Sequence, residues 1–304
     1  MSRAPTLENR TLQRGTSPTG SRRAGSFDLR ALWTLYTLTL RQHLNGRRWM
    51  ICAVLFLLPS ALIVALRGSH AKPPPMAFEF VFIYMLIPQG LLPLIALLYS
   101  SGLVNDEQED QTITYLLIRP IAKWSLYVVK LLATLTTTVF LAFIFTSLTY
   151  LAVYYHAENV PADVVHRCLV TASIHSLAIA SYCCLFGMIS VLTKRSLIMG
   201  ILYIAIFEGL LANLPLSVRS VTVIFYSRII AYRTLSFLSP SPFRTIDIAD
   251  EAWQLNVATD PNLTEYPPRM TCILTLLAAS VAFTILAAFL CSRKEFHVKT
   301  PEKN

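Results

Sequence analysis

Charge is what this sequence has least of. Asp, Glu, Lys and Arg make up 14% of its 304 residues, against 54% apolar, and the mean hydropathy is positive. A soluble domain of this length carries nearly twice that charged fraction. Glycine is also scarce, at ten residues. No G-x-x-x-x-G-K-[ST] loop occurs, and no soluble stretch is long enough to hold a nucleotide-binding domain. The six cysteines include no C-x-x-C pair, so they read as small apolar packing residues. Cys168 and Cys272 fall near outer helix ends, which leaves one bridge between them as the minority alternative. His156, His166 and His175 share no helix face at ligand spacing, and no Ser/His/acid grouping is recognisable. Neither a metal site nor a catalytic site is expected.

The apolar residues gather into uncharged runs at 49–66, 80–105, 131–157, 168–193 and 270–292, with a sixth, 196–218, broken only by Glu208. About 20 apolar residues cross a hydrocarbon core as a helix. The expected fold is therefore an all-α integral membrane protein of six transmembrane helices within 49–292. The short alternating segments of a β-barrel are absent. With the N-terminus in the cytoplasm, eighteen of the 26 lysines and arginines fall inside and eight outside. That places both termini in the cytoplasm of an inner (plasma) membrane protein. The net charge of +9 is then a topology signal with some attraction to anionic membrane lipid, and nucleic acid is not expected as a partner.

Residues 1–25 are rich in Ser, Thr, Arg and Gly without apolar period and read as a disordered cytoplasmic tail. Their arginines imitate a twin-arginine signal or a transit peptide, but no cleavable apolar segment follows promptly. Residues 26–48 contain Leu29, Leu32, Trp33, Tyr36, Leu40 and Leu44 on one helical face, the pattern of a helix lying on the inner leaflet. Residues 215–269 form the one large outer region. Its first part, 219–238, mixes Arg219, Arg228 and Arg233 with apolar residues, as a surface or re-entrant helix would. Its second, 239–269, holds five prolines and reads as an irregular loop. The N-L-T sequon at Asn262 is a pattern match alone. Residues 293–304 are a basic cytoplasmic tail.

Against this background the segment 105–123, between spans 2 and 3, is unusual. Asp106, Glu107, Glu109 and Asp110 lead, Ile113, Leu116 and Leu117 make an apolar ridge, and Arg119, Pro120 and Lys123 follow. Acids at the start and cations at the end complement a helix dipole, and Pro120 ends the helix. A short amphipathic cytoplasmic helix with a three-residue ridge suits the groove of a soluble partner. The alternative is a solvated, capped loop.

The spacing E-x-E-x-x-T-x-x-x-L-L-x-x-P-I-x-K, followed by Lys130, resembles the loop between the second and third spans of type-2 ABC transporter permeases. Glu107, Glu109, Thr112, Leu116, Leu117, Pro120 and Lys130 match. Gln111 stands where glycine is usual, and Lys123 replaces an arginine. The stretch F-E-G-L-L-A-N-L-P-L-S-V-R-S-V-T-V at 207–223 is similar to the end of span 5 in a subgroup of these permeases, and the basic S-R-K-E-F after span 6 is typical of them.

The resemblance implies the membrane subunit of an ATP-driven exporter. Two permease subunits, identical or not, would each dock a separate ABC ATPase subunit that binds the ATP, with no cofactor on this chain. Segment 105–123 would be the coupling helix, with Glu107, Glu109, Thr112, Leu116, Leu117, Pro120 and Lys123 as ATPase-coupling residues. The alternative function is a non-transporting scaffold whose motion acts on an outer partner.

Glu208, the one acid deep in an uncharged run, is expected either on the translocation path or outer gate, or as a packing residue meeting hydroxyls of Thr136, Thr137 or Thr138. Lys130 is expected to snorkel to lipid phosphates, with a contact to the ATPase as its alternative.

Overall fold

A computed structural model describes residues 29–68, 74–103, 123–157, 160–214, 217–240, 245–255, 264 and 266–293. The tail 1–25, residues 104–122 and the basic tail after Arg293 lie outside it.

Six helices are long and apolar enough to cross a membrane. They are α2 (Arg47–Arg67), α3 (Pro75–Ser100), α4 (Lys123–Tyr154), α5 (Val164–Leu192), α6 (Ser196–Asn213) and α9 (Arg269–Arg293), and they coincide with the six runs. Helix α1 (Leu29–Asn45) precedes them. The outer region contains α7 (Val223–Thr234), two strands β1 (Leu238–Pro240) and β2 (Thr245–Asp247), and a short helix α8 (Ile248–Trp253).

Helix α5 is the centre of the bundle: 72% of its apolar window is buried, against 11% for α9. Its neighbours α3, α4 and α9 pack along it, and α2 and α6 lie outside. The outward faces of the outer helices are apolar, as Leu58, Leu62, Ile198, Leu202, Leu274 and Ile285 show. That is the surface a hydrocarbon solvent requires. Two of the closest approaches are made at glycine. A Cβ on Gly200 of α6 would lie 2.1 Å from Leu97 Cδ1 of α3, and one on Gly187 of α5 would lie 2.8 Å from the Tyr127 hydroxyl of α4.

Two spans change helical winding. Residues Glu79–Leu91 of α3 and Ile204–Leu210 of α6 follow the wider π spacing. In α3 the stretch contains Pro88, which has no N–H to give to the preceding turn, and the wider turn accommodates that loss. Each π stretch carries a buried carboxylate, Glu79 in one and Glu208 in the other.

Helix α1 packs by one flank of its apolar face rather than by the centre of that face. Leu35, Thr39 and His43 are buried, while Leu29 and Trp33 are 76% and 67% exposed. Thr39 and His43 lie on that buried flank beside Leu35, and the helix meets hydroxyls of α4 there. Tyr36 donates to Thr136 (3.1 Å), and His43 Nε2 pairs with Thr134 (3.0 Å) and sets its ring edge-on to Tyr99.

The irregular loop expected over 239–269 is corrected in part. β1 and β2 pair antiparallel, with Ser239 opposite Ile246. Asp247 then caps α8 by accepting from the N–H groups of Ala249 and Asp250. All six cysteines are free, so Cys168 and Cys272 form no bridge.

Candidate functional site: an inner anchorage and an outer clamp

Of the proposed coupling residues only Lys123 is described; Glu107, Glu109, Thr112, Leu116, Leu117 and Pro120 lie outside the described residues. What the structure gives is the footing on either side of them. The last carbonyls of a helix have no intrahelical partner, and at the end of α3 two side chains from other spans supply one. Ser196 of α6 donates to the Ser101 carbonyl (3.1 Å), and Lys130 Nζ of α4 donates to that of Leu103 (3.4 Å). On the far side, the Cys291 thiol of α9 contacts the Lys123 carbonyl at 3.7 Å. Lys130 therefore does not snorkel. It is only 8% exposed and turns inward, placing a cation against a helix C-terminus, where the dipole favours it.

Glu208 is completely buried, and its partners are not the threonines. Thr137 and Thr138 donate to carbonyls of their own helix, and Thr136 binds Tyr36. Instead the Val223 N–H donates to Glu208 Oε1 (3.1 Å) and the Ile224 N–H to Oε2 (3.3 Å). Those are the first two residues of α7, whose amides have no partner within the helix. The N-cap Thr222 makes no side-chain cap bond, so the carboxylate of span α6 caps α7 from outside its own sequence. An isolated carboxylate in hydrocarbon costs roughly 2.5–3.5 kcal/mol on insertion scales. Two amide donors and the positive end of a helix offset that cost.

Arg228, one turn further along α7, completes the tie. Its guanidinium donates to the Ala212 carbonyl (3.4 Å), to Asn213 Oδ1 (3.1 Å) and to Gln89 Oε1 in the π stretch of α3 (3.4 Å). Burial lowers its pKa to about 10, so it stays charged at neutral pH.

A second buried acid had not been expected. Glu79 lies in the N-terminal part of α3 and is 1% exposed. It accepts from Arg167 Nε (2.9 Å) and from Tyr150 (3.0 Å) on Oε1, and from Tyr154 on Oε2. Arg167 Nη2 also stands 2.8 Å from Oε1. Tyr84, Tyr150 and Thr171 join hydroxyls beneath this pair at 2.6–2.9 Å. From the same guanidinium, Nη1 donates to the Ser236 carbonyl just past the end of α7 (2.8 Å), and the Phe237 ring lies 5.7 Å from its centre. From sequence, Arg167 counts only among the cations assigned to the outer side, and Glu79 has no role. The available signal was Tyr150 and Tyr154, spaced i, i+4 at the outer end of span 3, whose hydroxyls need partners once buried.

Among the described residues no group of His, Cys, Asp and Glu could hold a metal ion. His175, buried in α5, pairs with Thr146.

Six apolar spans, one of them buried at the centre of the others, with polar ties at each end of α3, define a polytopic α-helical membrane protein. The family model described as ABC-2 family transporter protein matches residues 46–212, more than half of the chain, and the protein belongs to that family. It is a permease component of an ABC transporter, in a family of membrane subunits that carry no ATPase of their own and work with one. The matched region runs from span 1 to the end of span 5 and takes in segment 105–123, Glu79, Arg167 and Glu208. No curated protein matches the chain.

Proposed function

We propose that this chain is the permease of an ATP-driven exporter, with segment 105–123 docking a separate ABC ATPase on the cytoplasmic face. The supporting observation is the footing of that segment. Its acid-rich start follows directly on the α3 carbonyls held by Lys130 and Ser196, and its end, Lys123, opens α4. Movement of a docked ATPase would pass into spans 2 and 3 without a slack joint. ATP would bind the partner, and the complex would contain two permease subunits, identical or not. Both termini are assigned to the cytoplasm of an inner membrane, with the apolar face of α1 on the inner leaflet. Glu208 acts as an anchor of the outer gate rather than a substrate contact, because both its oxygens are engaged by α7.

Mild detergent purification from the native membrane, with mass spectrometry and an ATPase assay, tests the proposal. A vanadate-sensitive ATPase is expected to co-purify, and to be lost or uncoupled in Glu107→Lys/Glu109→Lys and in Leu116→Asp/Leu117→Asp while membrane insertion is kept. Undiminished ATPase association in all these variants would remove the coupling-helix assignment.

A further inference from the structure

Helix α7 is held by a charge of the favourable sign at each end. At its N-terminus sits the Glu208 carboxylate, and just beyond its C-terminus the Arg167 guanidinium. The two attachments differ in kind. Glu208 and Val223 are 15 residues apart, so the first attachment is local in sequence and joins the end of span α6 to the helix that follows it. Arg167 and Ser236 are 69 residues apart, and the arginine belongs to the central helix α5. Any motion of the C-terminal end of α7 away from α5 must part this second contact, whereas the first can stay closed.

The core side of that contact is built for a single position. Arg167 is 4% exposed and spends two nitrogens on Glu79, leaving Nη1 to reach the Ser236 carbonyl. Glu79 is in turn fixed by two tyrosines from α4. Phe237, 3% exposed, fills the space beside it, with its ring edge-on to Tyr84 at 4.8 Å and to Phe80 at 5.9 Å. Trp253 of α8 closes the same aromatic cluster, 5.5 Å from Phe237, and donates its indole N–H to Met85 of α3.

From this geometry we propose that the Glu79–Arg167 pair is a positioning latch. It holds the outer segment from α7 to α8 against spans 2–4 (helices α3–α5) in the state seen here, and outward opening requires Arg167 to release Ser236 and Phe237. The latch needs both charges. Without Glu79 the guanidinium would be buried without its counter-charge and would no longer be aimed at Ser236. Without Arg167, Glu79 has two tyrosines and no link to the outer segment. Lysine at 167 keeps the charge but lacks the planar fork that reaches Glu79 and the Ser236 carbonyl together.

Leu235, 8% exposed and next to Ser236, reports on the docked segment. Leu235→Cys is made in a Cys168→Ser background, since the other five native cysteines are buried, and its reaction with a polar maleimide is followed in lipid nanodiscs. Slow labelling is expected in this parent. It should rise at least five-fold in Glu79→Gln, Arg167→Gln and Arg167→Lys, and return towards the parent rate in the exchanged pair Glu79→Arg/Arg167→Glu; should that pair not fold, the three single variants measured against the Thr146→Val control decide. Thr146→Val, a buried substitution on α4 away from the latch, should leave the rate unchanged. Rates in the three latch variants equal to the parent, or a rise as large in Thr146→Val, would overturn the latch. A second arm uses the complex with its native ATPase, where vanadate trapping should speed labelling of the parent. No ATPase in the preparation would count against the permease proposal and leave the first arm intact. A trapped complex with unchanged labelling would overturn the latch as a moving part.

Discussion

His43 shows how one residue's surroundings decide its chemistry. It is buried between α1 and α4, beside Tyr99 and Thr134. Burial, with Arg48 and Lys130 nearby, lowers its pKa from the ordinary 6.5 to about 4. The docked imidazole is therefore neutral at pH 5, whereas a released one is mostly protonated. Because the released state binds the extra proton, docking of α1 weakens as pH falls from 6.5 towards 4, by about 2 kcal/mol at pH 5. Hydrogen exchange over residues 29–45 should lose about 20-fold in protection between pH 7 and pH 5, after correction for the intrinsic rate. His43→Asn, which cannot titrate, should show no such loss; an equal loss would assign the effect to another group. The position was invisible in the sequence reading because α1 was judged by its apolar face. Glu208, in contrast, stood out as an acid inside an uncharged run, but its partners lie in a helix whose starting residue composition alone does not specify.

The spans themselves were legible because length and apolarity are all that a bilayer requires of a crossing helix. Which spans are central was not, since apolar faces toward lipid and toward protein have the same composition. Glycine carries part of that information. At Gly200 the backbone of α6 comes so close to Leu97 that an added methyl would overlap it, and Leu97 is itself buried at 3% exposure. Leu97 has little room to give way, so Gly200→Ala should cost about 1–3 kcal/mol in overpacking. The loss should be largely recovered in Gly200→Ala/Leu97→Ala, where the smaller partner makes the space. Thermal unfolding in detergent would measure both, and a double variant no better than the single would show that α6 is held elsewhere. The short hairpin and α8 escaped notice for a different reason. Prolines dominated the reading of 239–269, while the cap signal of Asp247 followed three residues later by Asp250 went unused.

At the scale of the whole molecule, α3 is the element that meets both functional ends. Its last carbonyls are held by Lys130 and Ser196 beside segment 105–123, and its outer end carries Glu79 in the latch. The π stretch between them contains Pro88 and Gln89, and Gln89 accepts from Arg228 of α7. A helix tied at both ends carries a displacement along its length only if both ties hold. Lys130→Met keeps the length of the side chain and removes its donors, so it should loosen the inner tie without altering the sequence of the proposed docking segment 105–123. The ATPase should still co-purify with this variant. The vanadate-dependent rise in labelling at Leu235→Cys should fall by at least half. Loss of the ATPase itself would instead make Lys130 part of the docking face. A full rise with the ATPase present would mean that motion reaches the outer side through α4, whose tyrosines also grip Glu79.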